Sequence, residues 1–361
     1  MREAARAVQG VTVYPNGKAM GDSSVGDIPL MRAGLLLLAV IAAVGGLSMV
    51  VLPDDDKDDK DRDGGRDRDR VAAVAPDTAV PPLVVAMTDT TGRLACRQDA
   101  AGVQLPNAVH ESSGLALSAG GDALWTHNDS GRPVLYLVGF DGRLRGQVMV
   151  TGARVTDWED IAAGPCPGSG RCLFVGDIGD NQASRSRITI WRIPEPGPAD
   201  AQSMPAEALT AAYPEGAQDA EALFVLPDGA IYIVTKGETG PVAVYEMPRT
   251  ARPGVVASLR RVTELNADRV NRRERITGAA ASPDGQWLAL RTLRAVSFYP
   301  TGNLSARNLG APLTQDLRAL QEPQGEAVEF GRDGVIHLSS EGGQKETPAS
   351  LSRLTCRLPQ T

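Results

Sequence analysis

The chain has 361 residues, 42% hydrophobic and 22% charged, with 39 glycines, 25 prolines, 4% aromatics and a formal net charge of −7. That length can bury one good core with extensions, and the turn-rich composition suits an all-β fold. No basic stripe with interleaved aromatics is present, which excludes nucleic acid as a partner; clustered carboxylates suit cations better than anions, unless a bound metal inverts the local field.

Residues 1–32 are polar and aperiodic and read as a short disordered tail, with Met31 as an alternative start. From Ala33 to Leu52 run twenty residues in which Ser48 alone is polar, long enough to cross a bilayer as a helix. A cleaved signal peptide is the rival reading; the long apolar run, with no small-x-small site close behind it, favours an uncleaved transmembrane anchor. Residues 53–82 form a charged, then Ala/Pro-rich, disordered linker. Within it Asp59, Asp61, Asp63, Gly64 and Asp67 fall at positions of a calcium loop, but Arg70 stands where a bidentate Glu is needed, so a low-complexity tether is the better reading. Lys/Arg counts beside the apolar run, four before and six after, slightly oppose an outside C-terminal side. The cysteines argue the other way, because disulfides persist in oxidising compartments. The expected location is the cell membrane, single-pass, with residues 83–361 extracytoplasmic; a secreted protein is the alternative.

Within 83–361, the stretch Glu111–Asp129 (ESSGLALSAGGDALWTHND) reads as strand, turn, strand and polar end, and the pattern returns from Asp157, Asp219, Arg275 and Gln324. Aligning Gly114, Asp160, Ala222, Gly278 and Ala327 gives steps of 46, 62, 56 and 49 residues. Self-similarity at this period with β content predicts a β-propeller of five blades. A degenerate sixth blade in 77–107 or 300–324 is the alternative. The fifth unit ends without an outer strand. The left-over Gly92–Arg97 fits that place, so the N-terminal strand is expected to close the ring and cover its edges. Cys166 and Cys172 flank a predicted hairpin tip, while Cys96 and Cys356 lie in strands at the two ends of the domain. The pairs 96–356 and 166–172 are sensible among the three connectivities that four cysteines allow; no CxxC is present, which disfavours zinc.

Inner strands of a propeller run alike along the channel, so equivalent residues form rings. One position before the aligned residues lie Ser113, Glu159, Glu221, Thr277 and Glu326; two earlier, on the same strand face, lie Glu111, Asp157, Asp219, Arg275 and Gln324. The second strands end in His127-Asn128-Asp129, Asp177, Lys236, Arg291 and Glu341. Converging carboxylates must share protons or hold a cation, and oxygen donors suit calcium best. The candidate metal ligands are Glu111, Asp157, Glu159, Asp177, Asp219, Glu221 and Glu326. Lys236 and Arg291 could hold an anionic group beside the metal. Two other readings stay open: acids that accept backbone N–H bonds from neighbouring blades, or acids that line a metal-free pocket. His127 and Asp129 join Lys236 and Arg291 as candidate catalytic residues, with His110 a further possible base; His337 reads as structural. No GxSxG elbow, P-loop or dinucleotide fingerprint occurs. The tryptophans read as inter-blade packing, with Trp158, amid the carboxylates of DWED, the likeliest to meet ligand.

The motifs ESSGLA…LWTHNDSG, DWEDIA…GDIGDN, DAEAL…TK and GEA…SSEG resemble a secreted bacterial β-propeller family of unassigned function over nearly all of residues 108–343. More distantly, the Glu-x-x-Gly-Leu and Glu-Ala-Leu/Val starts are similar to calcium-dependent propellers of the phytase-like class, the "esterase-like activity of phytase" domains. That resemblance implies calcium on Glu159, Glu221 and Glu326. It departs at Thr277, where no carboxylate stands, and no dense Lys/Arg cluster supports phytate hydrolysis. The function expected is a tethered module binding a small-molecule or protein ligand, with a calcium site at the channel mouth. A metal-dependent phosphoesterase or esterase of the phytase-like type is the alternative.

Overall fold

In a computed structural model the described residues are 85–88, 94–98, 100–304, 306–343 and 347–360. The expected tail, anchor and linker over 1–82 lie outside them, and among the described residues no helix is long and apolar enough to cross a membrane. Three short strands come first: β1 (Val85–Thr88), β2 (Ala95–Gln98) and β3 (Val103–Gln104). Blade 1 is β4 (Ser112–Leu117), β5 (Ala123–Asn128), β6 (Val134–Gly139) and β7 (Leu144–Met149). Blade 2 is β8 (Trp158–Pro165), β9 (Arg171–Asp177), β10 (Ile188–Pro194) and β11 (Glu207–Ala212). Blade 3 is β12 (Ala220–Val225), β13 (Ile231–Thr235) and β14 (Ala243–Glu246); the two-residue β15 (Ala257–Ser258) then lies parallel on β11 of blade 2, before β16 (Arg260–Glu264) completes blade 3. Blade 4 is β17 (Ile276–Ala281), β18 (Trp287–Thr292), β19 (Ala295–Pro300) and β20 (Leu313–Asp316). Blade 5 is β21 (Gln324–Phe330), β22 (Val335–Glu341) and β23 (Ser350–Arg357), extended by β2 and then β1.

Each inner strand touches the two inner strands beside it, in the order β4, β8, β12, β17, β21 and back to β4. The fold is therefore a five-bladed propeller. The segments considered for a sixth blade are used otherwise: β2 and β3 pair with β23, and β20 is the outer strand of blade 4.

The core follows from two-residue alternation. In β13, Ile231 and Ile233 pack toward blade 2 with Phe174 and Ile190, while Tyr232 and Val234 pack toward blade 4 with Leu288 and Leu290. In β9, Phe174 faces blade 3 and Leu173 and Val175 face blade 1 beside Trp125 and Trp158. Five apolar layers result, one per blade interface. A strand buried on both faces reads as a continuous apolar run, as in the fully buried IYIVT of β13.

Near the axis the strands come too close for most side chains. A Cβ added to Gly114 would sit 2.5 Å from the Ile161 amide nitrogen, and one on Gly278 would sit 2.7 Å from the Glu326 carbonyl oxygen. This explains Gly or Ala at four of the five aligned positions. Two disulfides are formed: Cys96–Cys356 joins register partners on β2 and β23, and Cys166–Cys172 joins the ends of the β8–β9 hairpin.

Candidate functional site

The inner hairpin of every blade slips register at one level: at Ser112/Leu115, Trp158/Asp160, Ala220/Ala222, Ile276/Gly278 and Gly325/Val328. A bulge re-aims the side chain it carries. Here the re-aimed residues are Ser113, Glu159, Glu221, Thr277 and Glu326, and all five line one cavity of about 370 Å³ at an end of the channel. The two hydroxyls tie blades together: Ser113 Oγ donates to the Glu159 carbonyl (2.6 Å) and Thr277 Oγ1 to the Glu326 carbonyl (2.9 Å). The three glutamates turn their charge into the cavity. Asp129, Asp157, Glu238 and Glu341 add to it, against the bases Lys236, Arg272 and Arg275.

The charge is unevenly matched. Lys236 Nζ stands against Glu221, 3.6 Å from Asp219 and 3.8 Å from Glu238, and donates to Asn181 Oδ1 at 3.0 Å. Burial opposes its charge, yet Glu221, Asp219 and Glu159 together outweigh that and push its pKa up. Arg275 pairs with Glu238 at 2.8 Å. Across the cavity, Asp129, Glu159, Glu326 and Glu341 make no ion pair among the described residues. Burial, then Glu221, holds Glu159 well above the usual carboxylate range, and the same two causes raise Glu326. Burial lifts Glu341 to about 7, with Asp129 adding to it, and Asp129 itself to about 6, with Glu111 adding to it. Glu221 also titrates near 7, because its burial outweighs the pull of Lys236.

Several expected site residues are employed elsewhere. Arg291 is completely buried: its Nη1 donates to the Ala327 and Ser339 carbonyls and its Nη2 to Glu322, so it stitches blade 4 to blade 5 and is not free for an anion. His127 is also fully buried, edge-on to Trp158 at 5.5 Å; burial lowers its pKa to about 4, and it does not line the cavity. A base sealed from the cavity cannot serve it. Asp177 accepts from Arg185 at 2.7 Å and from the Thr156 and Asp157 amides at 3.2 Å, outside the cavity lining. Asp219 accepts from the Asp180 amide at 2.9 Å and lies behind Lys236. Glu111 accepts from Ser130 Oγ at 2.9 Å and does not line the cavity; His110 stands 3.5 Å from it. Lys236 is held by carboxylates and is no free anion holder. Trp158 packs in the layer between blades 1 and 2, its indole N–H donating to the Arg154 carbonyl, rather than facing ligand. His337 stacks on Phe140 at 4.5 Å.

The residue that sequence reasoning passed over is Asp160. Fully buried, it accepts from its own chain at Ile161 N (2.8 Å), from Leu223 N of blade 3 (2.9 Å) and from Ala279 N of blade 4 (3.1 Å). Burial raises its pKa, and these three amides pull it back. It is the backbone-tying acid of the ring, the role that one reading of the strand-start carboxylates assigns to them. Its signal was visible: four aligned positions hold Gly or Ala, and the fifth holds Asp. Arg272 and Glu238 of the cavity wall stand in inter-strand segments without repeated counterparts, so no alignment of units could find them.

As for a metal, the oxygen-only donors suit a hard cation. However, among the described residues no three His, Cys, Asp or Glu side chains are grouped to hold one, and Lys236 already supplies the positive charge against Asp219, Glu221 and Glu238.

No protein-family profile matches the chain, and no curated protein matches it. Among solved structures it is similar to the PQQ-bound aldose sugar dehydrogenase of Streptomyces coelicolor, at 12% identity and a TM-score of 0.46, covering 73% of this chain and 98% of that one. A gluconolactonase of Xanthomonas campestris shares 12% identity at a TM-score of 0.41, covering 79% and 99%, and an Escherichia coli apo aldose sugar dehydrogenase 10% at 0.38, covering 71% and 99%. Likenesses at this level assign no activity and no cofactor, and the phytase-like resemblance stays an expectation.

Proposed function

We propose that the protein is a ligand-binding propeller whose channel mouth receives a positively charged group. One observation carries this reading: four carboxylates, Asp129, Glu159, Glu326 and Glu341, share one cavity without a basic partner, while Lys236 neutralises the opposite wall. Buried carboxylates that repel one another are relieved by a cation. An organic ammonium group meets the need through hydrogen bonds; calcium fits less directly, since no three carboxylates among the described residues are grouped to hold it and water would have to complete its shell. The hydrolase reading loses its anion holders, since Lys236 and Arg291 are both engaged. The two disulfides support an extracytoplasmic setting, and the apolar run 33–52 supports attachment to a membrane. The pairing of β2 with β23 supports closure of the ring by the N-terminal strand.

The test is a thermal titration of the full chain with calcium and, separately, with ethanolamine. A cation at 100 times its Kd should stabilise by about 2.7 kcal/mol, and Glu159→Gln combined with Glu326→Gln should remove the effect. If neither cation shifts the melting of the unaltered protein, the reading is wrong.

A further inference from the structure

Beside the acidic mouth lies a second cavity of about 490 Å³ with the opposite charge. Its arginines are Arg272, Arg273, Arg294 and Arg318. The acid in its lining, Glu322, is turned to the buried Arg291 and offsets that charge instead. Arg318 leans on Asp316. Arg272, Arg273 and Arg294 are exposed, and among the described residues none of them makes an ion pair. Asp316 offsets Arg318 and, at longer range, part of Arg294, so the lining of four arginines leaves the groove net positive.

The two cavities share a wall. Arg272 and Leu293 line both. The segment 321–326 runs from one to the other: Gln321, Glu322 and Pro323 face the groove, and Gln324 and Glu326 face the mouth. On the mouth side Glu159 is 6% exposed and its carboxylate has no hydrogen-bond partner among the described residues. An excess of buried negative charge thus abuts an excess of positive charge, with one arginine between them. A monopolar ligand would satisfy one side and leave the other as it is. A molecule with an ammonium at one end and an oxyanion at the other satisfies both.

We infer that the two cavities form one bipolar site for a phosphorylated amine, with the ammonium group among Glu159, Glu326 and Glu341 and the phosphate among Arg272, Arg273 and Arg294. Phosphate is preferred to carboxylate because several guanidinium groups line the groove, and the tetrahedrally spread oxygens of a phosphate ester, three in a monoester and two in a lipid diester, can engage more than one of them. This inference rests on the cation-binding reading of the mouth and adds the second half of the ligand. The phosphate can be carried by a soluble metabolite or by a lipid headgroup.

The experiment is calorimetric titration of the full chain with O-phosphorylethanolamine, inorganic phosphate and ethanolamine, and flotation with phosphatidylethanolamine vesicles. Phosphorylethanolamine should bind at least about tenfold more tightly than either fragment, because the second contact is intramolecular. Arg273→Gln combined with Arg294→Gln, which line the groove and not the mouth, should weaken phosphorylethanolamine and inorganic phosphate about tenfold or more and leave ethanolamine unchanged. Glu159→Gln combined with Glu326→Gln should weaken ethanolamine and leave inorganic phosphate unchanged. Arginine-dependent binding to vesicles without binding of the soluble compound assigns the same chemistry to a lipid headgroup. If ethanolamine binds but phosphorylethanolamine binds no better, or if the arginine variants bind phosphate undiminished, the bipolar site is refuted and the mouth reading survives. If ethanolamine and calcium both fail while phosphate binds, the mouth reading falls, and the bipolar site falls with it.

Discussion

Glu159 and Asp160 are neighbours in sequence, both buried, both acids, and they serve opposite ends. Glu159 belongs to the mouth, where the bulge turns it into a cavity shared with six other carboxylates. Asp160 belongs to the waist of the ring, where three amide N–H groups from three blades converge on it. The pairing shows that burial alone does not tell a structural acid from a functional one. What separates them is whether donors surround the charge. A carboxylate given donors holds the fold together; one denied them stays available to a ligand, and the fold bears the cost of its desolvation.

That contrast can be broken by mutation. Asp160→Ala should be the most damaging change, destabilising by about 4 kcal/mol or more, since it removes charge-assisted hydrogen bonds and leaves buried amides unpaired. Asp160→Asn, with one acceptor oxygen for the two now used, should fall between; denaturant titration measures both, and a loss under about 1 kcal/mol for the alanine would remove Asp160 from its structural role. Lys236→Met should follow, at about 3 kcal/mol, because Asp219 and Glu221 would be left buried without their cation. In the mouth the sign should invert. Glu159→Gln should raise stability by about 1 kcal/mol, because burial and Glu221 both oppose the charge that glutamine does not carry, and a destabilised variant would show that Glu159 is structural after all.

The smallest effect is the pH dependence. Glu329 at the far end of the channel is raised by burial to about 8, and Glu221 and Glu341 of the mouth to about 7, all far above an unfolded glutamate. Between the unfolded and folded values the native state binds more protons than the unfolded one, so stability falls as pH rises through the folded values. The histidines oppose this only at lower pH, where burial keeps His127 and His337 neutral, near 4, while unfolded histidine takes a proton. From pH 7 to 8.5, cation-free protein should therefore lose about 1 kcal/mol per pH unit. Saturating calcium or ethanolamine should flatten the part owed to Glu341. Thermal unfolding across that range checks the slope; rising stability would contradict the charge state assigned to the mouth.

Much of the ring was legible in the sequence because propeller blades repeat. The spacing of Gly114, Asp160, Ala222, Gly278 and Ala327 located five inner strands, and the position before each located the residues lining the mouth. The cysteine pairings followed from placing strands at the two ends of one domain. What stayed hidden depended on contacts between blades. Polar strand ends look alike in sequence, yet Asp129 and Lys236 reach the cavity while His127 and Arg291 are drawn into seams between blades by Trp158 and Glu322, and Asp177 is held within its own blade by Arg185. The groove of Arg272 and Arg294 joins the segment before blade 4 to a turn inside it, a proximity set by the pairing of β17 with β18, which puts Ile276 opposite Thr292, in a connection that has no counterpart in the other units.

The Cys96–Cys356 bond has a mechanical consequence. It joins the second strand of the described chain to its last strand, in register, five residues before the C-terminus. A force applied through the segment ahead of Leu94, and resisted by a ligand seated in the mouth, would meet a covalent bond before it could peel β2 from the rim. The load would then pass along β23 and spread across the sheet of blade 5. Tension that would otherwise unzip the ring strand by strand is shared among parallel paths, so the linkage works as a strain relief between whatever pulls on the chain and the ring.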